Sequence, residues 1–305
     1  MENFIITASY LTIGIILRLT RKLPKDFSNS LNLFVIYVSL PALILLKVPR
    51  MDMGSGFWFT TLLPWLMVVF NACFIMLISR LLNWSMEVTG CLLLMTALGN
   101  TSFLGIPMVR AFFGSSGIPY AIIYDQLGSF LALSIYGSMI LALYAGGKKV
   151  SSSPVAIATR IVTFPPFIAL VCSFALRGSS IPAPVTSFLS TLGSTLVPVV
   201  MIAVGYQLRL RLEPGTTTPM MLGLVTKLCI SPIVSLFIAK ILGLHGESVK
   251  VAIFESGMPP MVSAGALAIM ANLSTKLTAA LVGGGIFVSF LTLPVLFKLI
   301  GIFIQ

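Results

Sequence analysis

The sequence predicts an all-α polytopic membrane protein with ten transmembrane helices arranged as two inverted five-helix repeats. Composition, the spacing of apolar runs and the matched positions of helix breakers lead to this prediction. Of the 305 residues, 57% are hydrophobic and 9% are charged, and the mean hydropathy is +1.06. A soluble domain carries about a quarter charged residues, so most of this chain is expected to lie in lipid.

Ten apolar runs are long enough to cross a bilayer, which requires about 20 residues of helix. The first run lacks a basic start and a small-residue cleavage site, so we interpret it as a span and not as a signal peptide. Short polar or turn-forming connections separate the spans, which are predicted at residues 3–19, 29–48, 57–82, 88–110, 119–144, 156–176, 184–208, 217–243, 248–271 and 278–304.

The distribution of lysine and arginine predicts the orientation of these spans. The odd-numbered connections and the adjoining helix ends hold more basic residues than the opposite face, and the first connection alone has Arg18, Arg21, Lys22 and Lys25. This bias predicts odd-numbered connections in the cytoplasm and both termini outside, with the protein in the plasma (inner) membrane. Lipid headgroups explain the net charge of +11 better than nucleic acid does.

The breakers in the two halves of the chain fall at matching places. When spans 3 to 5 are moved onto spans 8 to 10 at an offset of 160, Gly99-Asn100 meets Pro259-Pro260 without a gap. Pro41 in span 2 and Pro198 in span 7 match at a slightly different offset. We therefore predict a first repeat at 1–147, a linker at 148–155 and a second repeat at 156–305. Inverted repeats with helices broken at matching places are typical of transporters.

The broken segments "GNTSFLGIP" in span 4 and "SGMPPMVSAG" in span 9 are predicted to cross at mid-membrane. Unpaired backbone groups cost several kcal/mol each in hydrocarbon, so such segments survive only inside protein or beside a wet cavity. If the segments cross, two half-helix N-termini direct their N–H groups at one spot, which suits an anion. The predicted helix-break residues are Gly99, Pro107, Pro41 and Pro198.

Three ionisable residues lie well inside predicted spans, where charge is costly and usually functional. Glu255 is predicted to couple transport to a cation or proton, the alternative being a structural pair with Lys227. Asp125 is predicted to share this role, the alternative being a helix-end carboxylate wetted from outside. Lys227 would neutralise a carboxylate when the coupling cation is absent. Asn100 is the predicted substrate ligand because its amide can donate to a carboxylate, the alternative being that it caps the following half-helix.

The segment "ALGNTSFLGIPMVRAFFG" resembles the fourth helix of the auxin efflux carrier (PIN-like) family, and "KLCISP" and "GMPPMVSAGALA" resemble its eighth and ninth helices. The resemblance runs along the whole chain, which looks like a bacterial-type member without the long central insert of plant members. That group includes predicted malonate and malate permeases. The fold of the family is related to the bile acid:sodium symporters, whose Glu-x-Gly-Met is matched by Glu255 to Met258. Here Pro259-Pro260 replaces the Gln-Asn that follows in the symporters.

The resemblance implies a scaffold from spans 1, 2, 6 and 7, a moving core from spans 3–5 and 8–10, and a homodimer. The predicted substrate-binding residues are Asn100, Thr101, Ser102, Pro259, Pro260 and Ser263. The predicted coupling residues are Glu255, Asp125, Ser129 and Lys227, with Na⁺ at Glu255, Asp125 and Thr101 if sodium is the ion.

The sequence thus predicts an elevator-type secondary transporter of a small mono- or dicarboxylate, coupled to Na⁺ or H⁺ and using no other cofactor. An uncoupled uniporter, a channel and a membrane-embedded sensor stay open as alternatives. An intramembrane aspartyl protease needs two facing aspartates, and only Asp125 lies within a span. A serine protease would need a buried histidine, and the single histidine, His245, lies in a connection. We therefore do not expect an enzyme.

Overall fold

The computed structural model describes residues 2–24, 26–54, 56–144, 153–179, 181–208 and 216–304. The predicted linker at 148–155 lies outside the described residues up to position 152. The same is true of several basic residues that favour the predicted orientation, namely Lys25, Lys148, Lys149, Arg209 and Arg211.

The described residues form an all-helical protein, and one isolated β-bridge is the only strand-like pairing within them. We number the helices along the chain, counting each unbroken run once. They are α1 (Glu2–Thr20), α2 (Phe27–Arg50), α3 (Phe57–Leu81), α4 (Met86–Ala97), α5 (Thr101–Phe113), α6 (Ile118–Tyr144), α7 (Pro154–Val162), α8 (Pro165–Ala175), α9 (Ala183–Gln207), α10 (Thr217–Ile241), α11 (Glu247–Ser256), α12 (Val262–Met270) and α13 (Thr275–Phe303).

Several of these helices are suited to crossing a membrane. Among the described residues, seven helices are long and apolar enough, and an eighth span results if α7 and α8, bent by 63° at their junction, count as one. Each of the predicted spans 88–110 and 248–271 is occupied by two shorter helices. The prediction of an all-helical, multi-pass membrane protein is therefore confirmed, whereas the count of ten spans stays a prediction.

Proline distorts the turn that precedes it. A proline inside a helix lacks the N–H that would bond four residues back and clashes with that carbonyl, and a wider π-turn can absorb both effects. Pro41 and Pro107 each follow a π-helical segment, Val35–Ser39 and Thr101–Gly105 respectively. Pro198 follows an interruption of the α-helix at Thr195. Pro41 and Pro107 lie within continuous helical segments, which corrects the prediction that the helices break at them, whereas the α-helix is interrupted three residues before Pro198.

Side-chain contacts between distant segments define two ends of the helix assembly. At one end Arg18 donates to the carbonyl of Leu208, and Tyr206 donates to the carbonyl of Pro24 at 3.3 Å. We call this end the odd-loop side. At the other end Thr60 donates to the carbonyl of Ser248 at 3.1 Å. The rings of Phe4 and Phe112 also lie 5.3 Å apart there, and we call this end the terminal side because residue 4 lies near it.

The helices pack in two groups. Helix α1 packs along α9, and α2 packs against both α8 and α9. The approach of α1 to α9 is so close that a Cβ at Gly205 would collide with the Leu11 carbonyl, as is typical of glycine contacts between membrane helices. In the second group α3 packs against α4, α6 and α11, and α10 packs against α11 and α13.

The second group shows an internal register at the offset of 160. Helix α3 occupies Phe57–Leu81 and α10 occupies Thr217–Ile241, so both helix boundaries differ by 160. Two pairs of positive-φ residues that follow helices match as well. Asn83 (φ 51°) corresponds to Gly243 (φ 62°), and Gly114 (φ 75°) corresponds to Ser274 (φ 39°). Equivalent turns therefore end equivalent helices in the two halves of this group.

Candidate functional site

Two interruptions of helical structure meet inside the second group. The gap between α4 and α5 lies at residues 98–100, and the gap between α11 and α12 lies at residues 257–261. The backbone N–H of Asn100 donates to the carbonyl of Pro259 at 2.8 Å, and that of Met261 donates to the carbonyl of Leu98 at 3.0 Å. Gly99 and Pro260 form the isolated antiparallel bridge between these bonds. The two gaps thus satisfy each other's backbone groups, as burial requires.

Asn100 is buried at this bridge with an exposure of 2%. Its carbonyl accepts the backbone N–H groups of Leu104 at 3.2 Å and Gly105 at 2.9 Å, so its main chain closes the first turn of α5. Its side chain makes no capping bond, and among the described residues its amide nitrogen has no hydrogen-bond partner. Asn100 thus occupies the N-cap position of α5 through its main chain, and its side chain takes no part in the cap. A buried donor without a partner is costly, which makes this amide a candidate ligand group.

Asp125 of α6 lies beside the first turn of α5. Thr101 and Ser102 each donate a hydroxyl to its Oδ1 at 2.5 Å, and the side-chain amide of Gln126 donates to its Oδ2 at 2.6 Å. Asp125 is 1% exposed, which argues against the alternative of a helix-end carboxylate wetted from outside. Ser129, which follows one turn later on α6, is buried as well.

Glu255 and Lys227 lie on the other side of the bridge. Neither carboxylate oxygen of Glu255, which is fully buried on α11, has a hydrogen-bond partner within the described stretches of the chain. Lys227, in a π-helical turn of α10, donates its ammonium to the carbonyl of Ser256 at 3.2 Å. A Cβ at Gly99 would lie 3.3 Å from Lys227 Nζ. Lys227 thus faces the bridge, and its hydrogen bond goes to the backbone next to Glu255.

A cavity of about 120 Å³ lies between the two groups of helices at this bridge. Four predicted site residues line it, Asn100, Ser102, Asp125 and Ser263, whereas Thr101, Ser129, Lys227, Glu255, Pro259 and Pro260 do not. The other lining residues are apolar and were not predicted, namely Ile36, Leu40, Phe103, Phe130, Leu133, Phe164 and Met261. No local signal distinguishes them from the many other apolar residues of the chain.

The sequence prediction missed two further residues that contact the buried carboxylates. Gln126 bonds Asp125, and Gly105 makes room for Glu255, because a Cβ at position 105 would collide with the Glu255 carboxylate. Gly105 belongs to the Gly-Ile-Pro motif of the family resemblance, which could have identified it. Within the described residues, no three histidine, cysteine, aspartate or glutamate side chains cluster as a metal centre.

The two half-helices beyond the bridge have different surroundings. Helix α5 packs against α1 and α9, so the first group covers it. Helix α12 is bordered by two cavities, the one at Asn100 and another of about 210 Å³ lined by Leu208 of the first group and by Gly265 and Ile269 of α12. Among the described residues, α12 makes no comparably extensive contact with the first group. The space beside α12 therefore lies on the odd-loop side of the bridge. A larger cavity of about 470 Å³ lies between the groups on the terminal side, where Arg50 of α2, Ser190 of α9 and Tyr120 of α6 line it.

Membrane-spanning helices around a buried cavity with a few polar side chains, and paired interruptions at its wall, are typical of a membrane transport protein. The chain belongs to the family described as membrane transport protein, which matches residues 4–297. This confirms the resemblance to the auxin efflux carrier family. The chain is 25% identical over 291 residues to an uncharacterized transporter of Methanocaldococcus jannaschii and 28% identical over 286 residues to one of Methanothermobacter thermautotrophicus, with 92% of each chain covered. The protein is thus a transporter and not an enzyme.

Proposed function

We propose that the protein is a secondary active transporter of a small organic anion, a mono- or dicarboxylate. One observation carries this proposal: the unpartnered amide of Asn100 borders the cavity at the start of a half-helix. An amide donor can bind a carboxylate without itself being charged, and the positive end of the α5 dipole favours an anion at the same place. Ser102 and Ser263 add hydroxyl groups to the cavity wall.

The proposed architecture is ten spans in two inverted repeats, with α4–α5 and α11–α12 as broken spans that cross at mid-membrane. The shared helix boundaries of α3 and α10, the matched positive-φ turns and the reciprocal backbone bonds at Gly99 and Pro260 support it. An offset of 160 relates residues 99 and 100 to 259 and 260. The offset that superimposes the first repeat on the second therefore also superimposes the first interruption on the second.

The proposed mechanism is an elevator step, in which the second group of helices carries the substrate past the first. The first group, α1, α2, α8 and α9, would be the scaffold, and the second group would be the transport core. The cavity is lined by both groups, which supports a site at the boundary between the moving and the fixed helices.

Coupling to Na⁺ or H⁺ is proposed through Asp125 and Glu255. Sodium prefers oxygen ligands, as do other hard cations, and Asp125, Thr101 and Ser102 bring four side-chain oxygens together. Glu255 offers two buried oxygens without partners among the described residues, which would suit either a cation or a proton. Lys227 would compensate these charges when the coupling ion is absent, because it interacts electrostatically with Glu255.

The location is proposed as the plasma (inner) membrane with both termini outside. The proposed homodimer would form through the scaffold, which leaves the moving core free. Mass photometry of the protein in lipid nanodiscs would show a two-chain particle, and a one-chain particle that is active in uptake would contradict this assembly.

Uptake by proteoliposomes tests the proposed function. Malonate, malate and an indole acid would each be offered under a Na⁺ gradient and, separately, under a pH gradient. Saturable uptake driven by one gradient, with counterflow, is the expected result, and Asn100→Ala should abolish it without changing the elution profile of the protein. Saturable uptake independent of both gradients would indicate a uniporter. Unsaturable flux without counterflow would indicate a channel, and binding without flux would indicate a sensor.

A further inference from the structure

Two of the aromatic contacts that join the scaffold to the transport core lie at different places. Phe130 of α6 stacks on Phe164, which lies at the bend between α7 and α8, with ring centroids 4.1 Å apart and planes inclined by 16°. Phe290 of α13 lies against Phe4 of α1, with centroids 5.8 Å apart and planes inclined by 47°. In each contact one ring belongs to the core and the other to the scaffold.

The two contacts are equivalent under the internal register. Phe4 and Phe164 differ by 160 positions, and so do Phe130 and Phe290. This is the offset that relates α3 to α10 and one break to the other. One aromatic contact is therefore the repeat image of the other, although the surrounding apolar residues share little identity.

The contacts lie on opposite sides of the bridge. Helix α6 runs from the terminal side to the odd-loop side, and Phe130 follows Asp125 by five residues, about 7.5 Å at 1.5 Å per residue. Helix α13 runs in the opposite direction, and Phe290 follows Gly285 by the same five residues. A Cβ at Gly285 would lie 2.6 Å from Pro260 of the bridge. Phe130–Phe164 therefore lies on the odd-loop side and Phe4–Phe290 on the terminal side.

The surroundings of the two contacts differ. Phe130 and Phe164 both border the cavity that contains Asn100. On the terminal side Phe4 also contacts Phe112, which in turn contacts Phe254 at 5.4 Å and Phe297 at 5.0 Å. The odd-loop contact thus lies beside the cavity that contains Asn100, whereas the terminal contact belongs to an aromatic cluster away from that cavity.

We infer that these contacts are two alternating gates, with Phe130–Phe164 closing the site toward the odd-loop side and Phe4–Phe290 closing it toward the terminal side. This inference rests on the proposed transport function. Stacked apolar rings suit a gate because they exclude water when together and separate without breaking a charged or covalent bond. Both pairs are in contact in this structure, so both gates are closed in it. Because each pair joins core to scaffold, movement of the core in either direction must separate the rings of one pair.

Thiol accessibility tests the gates without any substrate. The reporter is Ser263→Cys on the cavity wall, in a chain whose four native cysteines are replaced, treated with a membrane-impermeant thiol reagent in vesicles of each orientation. Phe164→Ala should speed its modification from the odd-loop side roughly two- to tenfold, the range that loss of one aromatic pair gives. Phe130→Ala should do the same because it removes the other ring. Phe4→Ala should speed modification from the terminal side only.

Phe167→Ala is the matched control, since Phe167 lies on α8 with its ring 6.2 Å from Phe130 but does not border the cavity. Three outcomes would each overturn the inference. The first is that Phe167→Ala accelerates modification as much as Phe164→Ala does. The second is that neither Phe130→Ala nor Phe164→Ala accelerates it, and the third is that Phe4→Ala accelerates it from the odd-loop side. Because labelling requires no transport, the side-specific pattern without any carboxylate uptake would leave the gates standing and reject the proposed function. Gradient-driven uptake with side-independent labelling would reject the gates alone.

Discussion

Gly105 lies directly against the carboxylate of Glu255, so that a Cβ at position 105 would occupy the place of the carboxylate oxygens. This contact joins α5, which begins at Thr101 after the first interruption, to α11, which ends at the second interruption. The carboxylate of Glu255 can thus lie between the two interrupted segments because Gly105 has no side chain. Its position depends on Gly105 as much as on Glu255 itself.

We expect Gly105→Ala to impair both stability and transport. The added methyl group must displace either the Glu255 carboxylate or the backbone of α5, and such overpacking costs about 1–3 kcal/mol. Thermal unfolding in detergent and initial uptake rates in proteoliposomes measure the two effects. Gly301→Ala is the control, because nothing lies within 4 Å of a Cβ at that position of α13. A Gly105→Ala protein as stable and active as the control would contradict the close contact.

Glu255→Gln should separate binding from coupling. The substitution keeps the shape of the side chain but removes the charge that would bind a cation or proton. Uptake should therefore persist with counterflow and lose its dependence on the Na⁺ or pH gradient. Glu247→Gln is the matched control on the same helix, since Glu247 lies at the terminal end of α11 and accepts a hydroxyl from Ser116 at 2.6 Å. Retained gradient dependence in Glu255→Gln would show that another group couples transport.

The sequence predicts the places of the interruptions better than it predicts what surrounds them. Gly99-Asn100 and Pro259-Pro260 act through local backbone chemistry, so their consequences can be read from a few residues. The pairing of Asp125 with Thr101 and Ser102 joins residues more than 20 positions apart in sequence. A polar group buried in the membrane is expected to have a polar partner. The sequence does not show which residue that partner is.

The apolar residues that line the site could not be predicted from the sequence, for a related reason. In a soluble protein, burial separates core from surface residues, whereas here both interior and lipid-facing positions are apolar. Phe130 and Phe164 border the cavity while Phe188 and Phe287 are exposed, and nothing in their immediate neighbours distinguishes them. The prolines illustrate the same limit, because Pro41 alters the hydrogen bonding of the preceding turn without breaking the helix.

Removal of Lys227 should cost less when Glu255 is neutral. Lys227 compensates Glu255 electrostatically while donating to the Ser256 carbonyl. Lys227→Met should therefore destabilise the protein strongly, because it leaves buried carboxylates without a nearby cation. In the double variant Lys227→Met with Glu255→Gln, we expect about 0.5–3 kcal/mol of this loss to be recovered, the usual range for coupled neighbours. Unfolding by titrated SDS measures the four proteins of the cycle, and strict additivity would refute the coupling.

Asp125 offers a test that distinguishes its charge from its hydrogen bonds. In Asp125→Asn the side-chain oxygen can still accept the hydroxyls of Thr101 and Ser102. The new amide nitrogen replaces Oδ2, to which Gln126 donates. After rotation of the Gln126 amide, this nitrogen can donate to Gln126 Oε1, which has no partner among the described residues. Asp125→Ala instead leaves three donors without an acceptor, and each unsatisfied buried group costs about 1–3 kcal/mol. We therefore expect Asp125→Asn to unfold near the wild-type temperature and Asp125→Ala to unfold well below it. If Asp125 binds the coupling ion, both variants lose gradient-driven uptake, and Asp125→Asn does so with its fold intact. Full gradient dependence in Asp125→Asn would limit Asp125 to a structural role and leave Glu255 as the coupling residue.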